Sequence, residues 1–248
     1  MAIKTTSLTE WLKANPTAVN NAIKDDFLNV AKDDMVNLMN KNLNSLHDGV
    51  FIMYHRNSDD YPLMVKPNKW PSLQSGGEIA EGVVVVEGGK ILVVAPTEAD
   101  SVDLLWSSAE VDGGGTKTTD RITAMNDWNG KASTAAQVTH AECNTEQYAP
   151  GFCNLYSRTN ANNKGMTAGK WWLPSLGEML MIYANMTKIN YALSLITGAT
   201  QLAQNWYWTS TERSPQGAWT LSLNGGSLGW LNKVQVRGHV RPVSAFIV

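Results

Sequence analysis

The chain has 248 residues and a formal charge of −2, and charged side chains make up 17% of it, against roughly 25% in an average soluble protein. This balance leaves no electrostatic footprint for nucleic acid or an anionic membrane surface, and neither is expected as a partner. Tryptophan and glycine are abundant instead, at ten and twenty residues, and the length suits one large domain or a domain with an appendage.

Ser7 and Glu10 read as a capping box that opens a short helix through Trp11 and Leu12, which Asn15-Pro16 breaks. A second helix is expected from about Pro16 to Asn44. Its apolar positions include Ile23, Phe27, Leu28, Ala31, Met35, Leu38 and Met39. The seam they form suits packing either on the chain's own domain or on neighbouring subunits. Residues 1–49 are therefore expected to be a helical assembly or docking segment. The opening MAIKTTSLTEWLKANP has neither an apolar core nor a small-residue cleavage site, so a Sec signal peptide is not expected. No apolar run approaches the roughly 20 residues a membrane span requires, and membrane insertion is not expected either.

After His47-Asp48-Gly49 the period changes. Val50 to Tyr54 reads as a strand, and Gly82 to Ala95 as two β-rich runs joined across Gly88-Gly89. Asp112 to Thr119 reads as a loop. A helix is expected from Thr134 to near Tyr156, interrupted or bent around Pro150-Gly151, followed by a loop from Asn160 to Lys170. Pro174 near the first helical position and Glu178 ahead of Leu180, Met181 and Ile182 mark a further helix. Ile189 to Ile196 either continues it or forms another. Trp206 to Trp208 begins a strand, and Ala218 to Leu223 alternates large apolar with small polar side chains before Asn224-Gly225, a hairpin turn. Leu228 to Asn232, Val234 to Val236 and Val240 to Val248 supply further strands. A helix-rich start and a hairpin-rich end make the fold class α+β.

Chemistry is sparse in this text. The four histidines include no HExxH pair and share no ligand spacing with cysteine, so no metal and no cofactor is expected. Cys143 and Cys153 read as either two buried thiols or one bridge. Gly225 to Gly229 matches the Gly-x-Ser-x-Gly string of a nucleophile elbow, but it follows a hairpin turn and precedes another strand, where an elbow needs a helix. Glu178 and Glu212 read as a helix-face glutamate and a loop hydrogen-bond acceptor, not as a catalytic carboxylate pair.

A second set of motifs carries more. Asn126-Asp127-Trp128-Asn129-Gly130-Lys131 precedes Trp171-Trp172-Leu173-Pro174-Ser175. Tyr207-Trp208-Thr209-Ser210-Thr211-Glu212, then Ala218-Trp219, then Val240-Arg241-Pro242-Val243-Ser244-Ala245-Phe246 follow. In order and spacing this resembles the C-type-lectin-fold domains related to formylglycine-generating enzymes and to Legionella collagen-like C-terminal modules. More narrowly, it resembles the variable proteins of diversity-generating retroelements in gut Bacteroides and their phages. The resemblance spans about Val50 to Val248 and is clearest after Trp171.

The resemblance implies an antiparallel, hairpin-rich C-type-lectin-like domain over residues 50–248, with two or more helices and a variable region at about 206–248. A frame of Trp172, Trp208, Trp219, Val240 and Phe246 would hold it, with Glu212 and Arg241 either paired or separate surface charges. It further implies that adenines are randomised and AAY codons become NNY, which never encodes Trp, Gln, Lys, Glu or Met. The candidate ligand-binding face is then Arg213, Gly217, Thr220, Ser222, Ser227, Gly229, Leu231, Asn232, Val234, Val236, Gly238 and His239, with Trp230 as the anchor if exposed. Trp230, Lys233, Gln216 and Gln235 would be fixed or arise from differently placed adenines. Without the motif frame, the same alternation reads as an ordinary half-exposed antiparallel sheet.

The calcium-and-sugar tripeptides of carbohydrate-binding C-type lectins are absent, and neither cysteine falls where the formylglycine-generating enzymes place their catalytic pair. The expected function is therefore binding, not catalysis: a phage-tail receptor-binding protein or tail-fibre tip that meets a host cell-surface protein or glycan. Such a protein is made in the host cytoplasm and carried on the virion, and a homotrimer is usual for such a tip. The alternatives are a bacterial surface or pilus-type adhesin or structural protein, and an enzyme of the formylglycine-generating type.

Overall fold

The valine-rich text after Gly82 folds as the expected hairpin. β1 (Gly49–His55), β2 (Pro62–Val65), β3 (Gly82–Glu87) and β4 (Lys90–Val94) form an antiparallel sheet. It is completed by a two-residue strand near the C-terminus, Val243–Ser244, which pairs with β4 to give the order C-terminal strand, β4, β3, β1, β2. Gly88 and Gly89 turn the hairpin at φ of 55° and 76°, a conformation that β-branched neighbours would resist. The structure, a computed structural model, describes residues 47–99 and 103–246, which belong to a unit running from His47 to Ile247. The helices expected between Ser7 and Asn44 lie outside the described residues.

Between the first hairpin and the second half of the chain run α1 (Trp70–Ser75), α2 (Arg121–Met125), α3 (Gly130–Gln137) and α4 (Ala149–Leu155). The helix expected from Thr134 to Tyr156 is two, and the break lies in the turns from Val138 to Tyr148, ahead of Pro150-Gly151. Pro150 does not bend a helix but sits in the first turn of α4, where its missing N–H costs nothing. Gly151 follows because a Cβ there would lie 2.2 Å from the Thr145 carbonyl oxygen. The loop expected at 160–170 includes the returning strand of a short hairpin, β5 (Arg158–Thr159) with β6 (Gly165–Met166).

α5 (Leu176–Ala184) and α6 (Met186–Ser194) are separate helices. They bury Leu176, Met179, Ile182, Ile189 and Leu193 in one cluster with Ile52, Val83, Val85 and Leu92 of the five-stranded sheet. Each such side chain contributes about 1.5–3 kcal/mol when fully withdrawn from water. β7 (Trp206–Glu212), β8 (Gly217–Ser222) and β9 (Leu228–Asn232) form a second antiparallel sheet. Gly225 to Gly229 spans its β8–β9 turn and the start of β9, so no nucleophile elbow is present there. Val234 to Val236 is a turn and not a strand, and beyond Val240 only β10 (Val243–Ser244) pairs as one among the described residues. The fold is α+β, with antiparallel sheets and six α-helices among the described residues. None of these helices is long and apolar enough to cross a membrane.

Indole N–H groups tie the parts together. Trp106 donates to the Thr209 carbonyl (3.0 Å), Trp208 to Leu104 (2.8 Å), Trp219 to Thr118 (2.9 Å) and Trp171 to Met166 (3.0 Å). Each is a large apolar body whose polar handle finds a backbone acceptor, which lets tryptophan fill a core without an orphaned donor. Trp172 donates instead to Glu178 (3.1 Å), whose carboxylate also accepts the Ser175 N–H (2.8 Å) in the capping box of α5.

Burial, with a smaller contribution from Asp127, pushes the Glu178 carboxyl from 4.5 up to about 7, against the lowering effect of those hydrogen bonds. Because the folded value is raised, the protonated form stabilises the fold fully below pH 4.5, and that stability is lost as pH rises through about 7. Glu178→Gln removes this dependence. Between pH 4 and pH 8, urea unfolding of the parent should lose about 3 kcal/mol relative to the variant. Parallel pH profiles for the two chains would contradict this.

Candidate binding surface

β8 is the middle strand of its sheet, and all six of its residues are buried. On one face Tyr207, Trp219 and Leu221 join the cluster of the five-stranded sheet. On the other, Trp208 and Ala218 join Trp106, Leu173, Val240 and the two cysteines. Both faces are therefore core, which corrects the reading of this strand as half-exposed. Thr220, fully buried, pairs with Trp208 and with Gly229, and Ser222 pairs with Trp206. Their hydroxyls are inside the chain, and that of Ser222 closes the next turn by donating to the Asn224 carbonyl (3.1 Å).

β9 is the sheet's edge and is only partly covered. Trp230 is 47% exposed. Its ring lies over Gly217, where an added Cβ would come within 2.8 Å, and under the Arg213 guanidinium, 4.4 Å from the ring centroid. Arg213 is held by the turn it opens, since its N–H donates to the Gly217 carbonyl (2.9 Å). The structure thus gathers Arg213, Gly217 and Trp230 into one stack, with Leu231 and Asn232 half-buried beside it. Asn232 is partly committed, its Oδ1 accepting the Val234 N–H (3.0 Å).

The other candidates fall elsewhere. Ser227 is exposed at the β8–β9 turn, and Val234 and Val236 are half-buried in the turn after β9. Gly229 and Gly238 are spacers for indole rings: a Cβ would lie 3.1 Å from the Trp206 ring at the first and 3.1 Å from the Trp208 ring at the second. His239 stacks on Tyr207 (centroids 5.1 Å apart) between two carboxylates, with Nδ1 3.5 Å from Glu98 and Nε2 3.2 Å from Asp103. Asn205 Nδ2 lies 2.9 Å from the same Nε2.

Under this surface lies an ion pair absent from the sequence reading. Glu212 and Lys233 are both fully buried, Nζ to Oε2 2.5 Å. Glu212 also accepts the N–H groups of Gly113 (2.9 Å) and Gly115 (3.3 Å). Lys233 donates to the Val111 carbonyl (2.8 Å) and lies 4.0 Å over the Trp106 ring. Burial lowers the lysine's pKa, and Glu212 opposes that shift. Glu212 and Arg241 are neither partners nor surface charges. Arg241 is fully buried too, donating to the carbonyls of Ala95 (3.1 Å), Thr200 (3.1 Å) and Gln201 (3.3 Å), with Glu98 at 3.3 Å.

Asp127 is a second hub. Its carboxylate accepts the hydroxyls of Thr116 (3.1 Å) and Thr211 (2.7 Å), and its carbonyl accepts the Ser175 hydroxyl (2.7 Å) and the Gly177 N–H (3.0 Å). Its place in the Asn-Asp-Trp-Asn-Gly motif was the only sequence signal for it.

Cys143 and Cys153 are free, buried thiols. Burial pushes Cys143 up to about 12 and Cys153 well above its ordinary value, so both are protonated and poorly nucleophilic at neutral pH. Among the described residues no group of three His, Cys, Asp or Glu is arranged to hold a metal ion.

No protein-family model matches the chain, and no curated protein matches it. Among solved structures, the crystal structure of a fimbrial protein from Bacteroides ovatus superposes with a TM-score of 0.51 at 13% identity, covering 81% of this chain. The likeness is one of fold. The matched part is 49% of the fimbrial chain, so this chain spans about half of that protein's length.

Removing one member of the buried pair strands the other charge. Lys233→Ala should cost about 3–5 kcal/mol in urea unfolding, and Glu212→Gln combined with Lys233→Met should recover most of it. A loss for Lys233→Ala below about 1 kcal/mol would show that the pair does not organise this region.

Proposed function

We propose that this chain is a non-catalytic binding module of a cell-surface appendage, an adhesin or fimbrial-type structural protein. It meets its target through the edge of the second sheet. The observation that carries this reading is the Arg213–Trp230 stack: a half-exposed indole, held from below by Gly217 and capped by a guanidinium, on a strand whose neighbour is core on both faces. Trp and Arg on a preorganised frame are the residue types that dominate binding energy, because little side-chain freedom remains to be lost. The fold likeness to a fimbrial protein from Bacteroides ovatus supports the setting. The target is a cell-surface protein or glycan, and repeated copies along an appendage raise a modest single-site affinity by avidity.

Arg213→Ala and Trp230→Ala should each weaken binding of the purified, bead-coupled protein to whole cells about tenfold or more. Melting should shift by only a few degrees, since neither residue fills the core. Unchanged binding overturns the assignment, and a large drop in melting temperature would make Trp230 structural.

A second reading keeps the C-type-lectin frame but makes the surface a retroelement-diversified receptor-binding tip, carried as a trimer on a phage tail. A specific observation favours it: Lys233, which NNY codons cannot encode, is a buried frame residue between half-buried Asn232 and Val234, which they can. Arg213, Ser227, Leu231 and His239 are also at least partly exposed and NNY-encodable. Gly217, Thr220, Ser222 and Gly238 are buried, so in this reading their variation would act through packing. A near-copy of the 3′ coding end, differing only where its template has adenine and lying beside a reverse-transcriptase gene, is the expected genomic arrangement. Absence of such a copy removes this reading and leaves the first intact.

A further inference from the structure

A hollow of about 330 Å³ lies between the β3–β4 turn, the end of α2 and the start of α5, on different elements from the Arg213–Trp230 stack. Trp128, 36% exposed, forms one wall, and Gly177 is what lets it lie there: a Cβ at that position would come 3.0 Å from the indole nitrogen and 2.4 Å from the Asp127 carbonyl. Met125 and Met181 contribute apolar surface, and Glu87, Lys90 and Asn126 bring polar groups. Glu87 and Lys90 are partners across the hairpin. The Glu87 carboxylate is anchored by Asn185 Nδ2 at 2.6 Å through Oε2, which leaves its other oxygen open. Asn126 spends its Nδ2 on the Ile122 carbonyl (2.9 Å), which leaves its Oδ1 open.

We propose that this hollow is a binding site for a neutral acetamido-hexose unit of a glycan. Four features select that chemistry. The volume is at the small end for ligand sites, which suits one sugar unit and not an extended peptide. One carboxylate and one ammonium, both exposed, give the hollow no net charge, so it offers no electrostatic preference for a charged ligand over a neutral one. The polar atoms include both a donor, the Lys90 ammonium, and acceptors, the open oxygens of Glu87 and Asn126, and hydroxyl groups satisfy both kinds. The indole of Trp128 and the half-buried Met125 offer apolar surface, which the C–H face of a pyranose and an acetamido methyl can cover.

In the free protein the Lys90 ammonium sits 4.0 Å from the Trp128 ring centroid. It is an exposed side chain at the start of β4, in the weak class of cation–π contacts, and the pyranose takes its place while the ammonium remains within reach as a donor.

Calorimetric titration of the full chain with N,N′-diacetylchitobiose, and with cellobiose as the counterpart lacking acetamido groups, tests the assignment. Saturable binding of the first is expected, about tenfold weaker in Trp128→Ala and severalfold weaker in Glu87→Ala, with cellobiose at least about fivefold weaker than the acetamido sugar. Glu87 is exposed, so that variant remains informative if Trp128→Ala fails to fold. Trp230→Ala should leave the titration unchanged, which separates this site from the Arg213–Trp230 surface. No saturation by the low-millimolar range, equal binding of the two sugars, or undiminished binding by a folded Trp128→Ala or by Glu87→Ala each overturns the proposal.

Discussion

Glu212 and Lys233 meet at 2.5 Å with no exposed surface on either side chain, and the geometry around them follows from the need to satisfy two desolvated charges. Taking such a pair out of water costs several kcal/mol per ion, offset only if the remaining lone pairs and protons find partners. Here they do. Gly113 and Gly115 donate to the carboxylate, the Val111 carbonyl accepts from the ammonium, and the Trp106 ring lies beneath the ammonium. Glycine is required on the loop because a Cβ at Gly113 would come 2.8 Å from the Glu212 carboxylate. The loop from Val111 to Thr118, the end of β7 and the residue after β9 are thereby fixed to one another. Arg213 follows Glu212 and Asn232 precedes Lys233, so two partly exposed residues of the proposed binding surface are chain neighbours of the buried charges.

The same logic explains why the surface is small. β8 is packed on both faces, and glycines at 217, 229 and 238 are occupied by indole rings. What is left for contact is the outer rim: Arg213, Trp230 and the half-covered residues after β9. A rim on a frame of this stiffness has little freedom to lose on binding, which favours recognition by a few residues over a broad adaptive interface.

Turn and cap signals carry through from sequence to structure, while pairings between distant residues do not. The Gly88-Gly89 and Asn224-Gly225 turns were legible because positive φ restricts the residue types there, and α5 because its capping residues precede an apolar run. The free thiols matched one of the two alternatives left open for the cysteines. The alternation in β8 was misleading, since a strand with tryptophan on one face and threonine and serine on the other looks half-exposed whether or not a second layer covers the polar side. Arg241 and Lys233 looked like surface or template-fixed charges, because the carbonyls they donate to lie far away in sequence, 146 residues for Ala95 and 122 for Val111. Trp230 meets the condition of exposure set for it, at 47%, but its stacking on Arg213 depends on a turn geometry that composition does not encode.

The most direct measurement of the central claim, that the buried pair fixes the frame beneath the proposed binding rim, is residue-resolved amide exchange in Lys233→Met against the parent. The account predicts faster exchange at Gly113 and Gly115, whose N–H groups donate to Glu212, and at Arg213, with Val83 to Val86 of β3 unchanged. Unaltered protection at Gly113, Gly115 and Arg213 would contradict it.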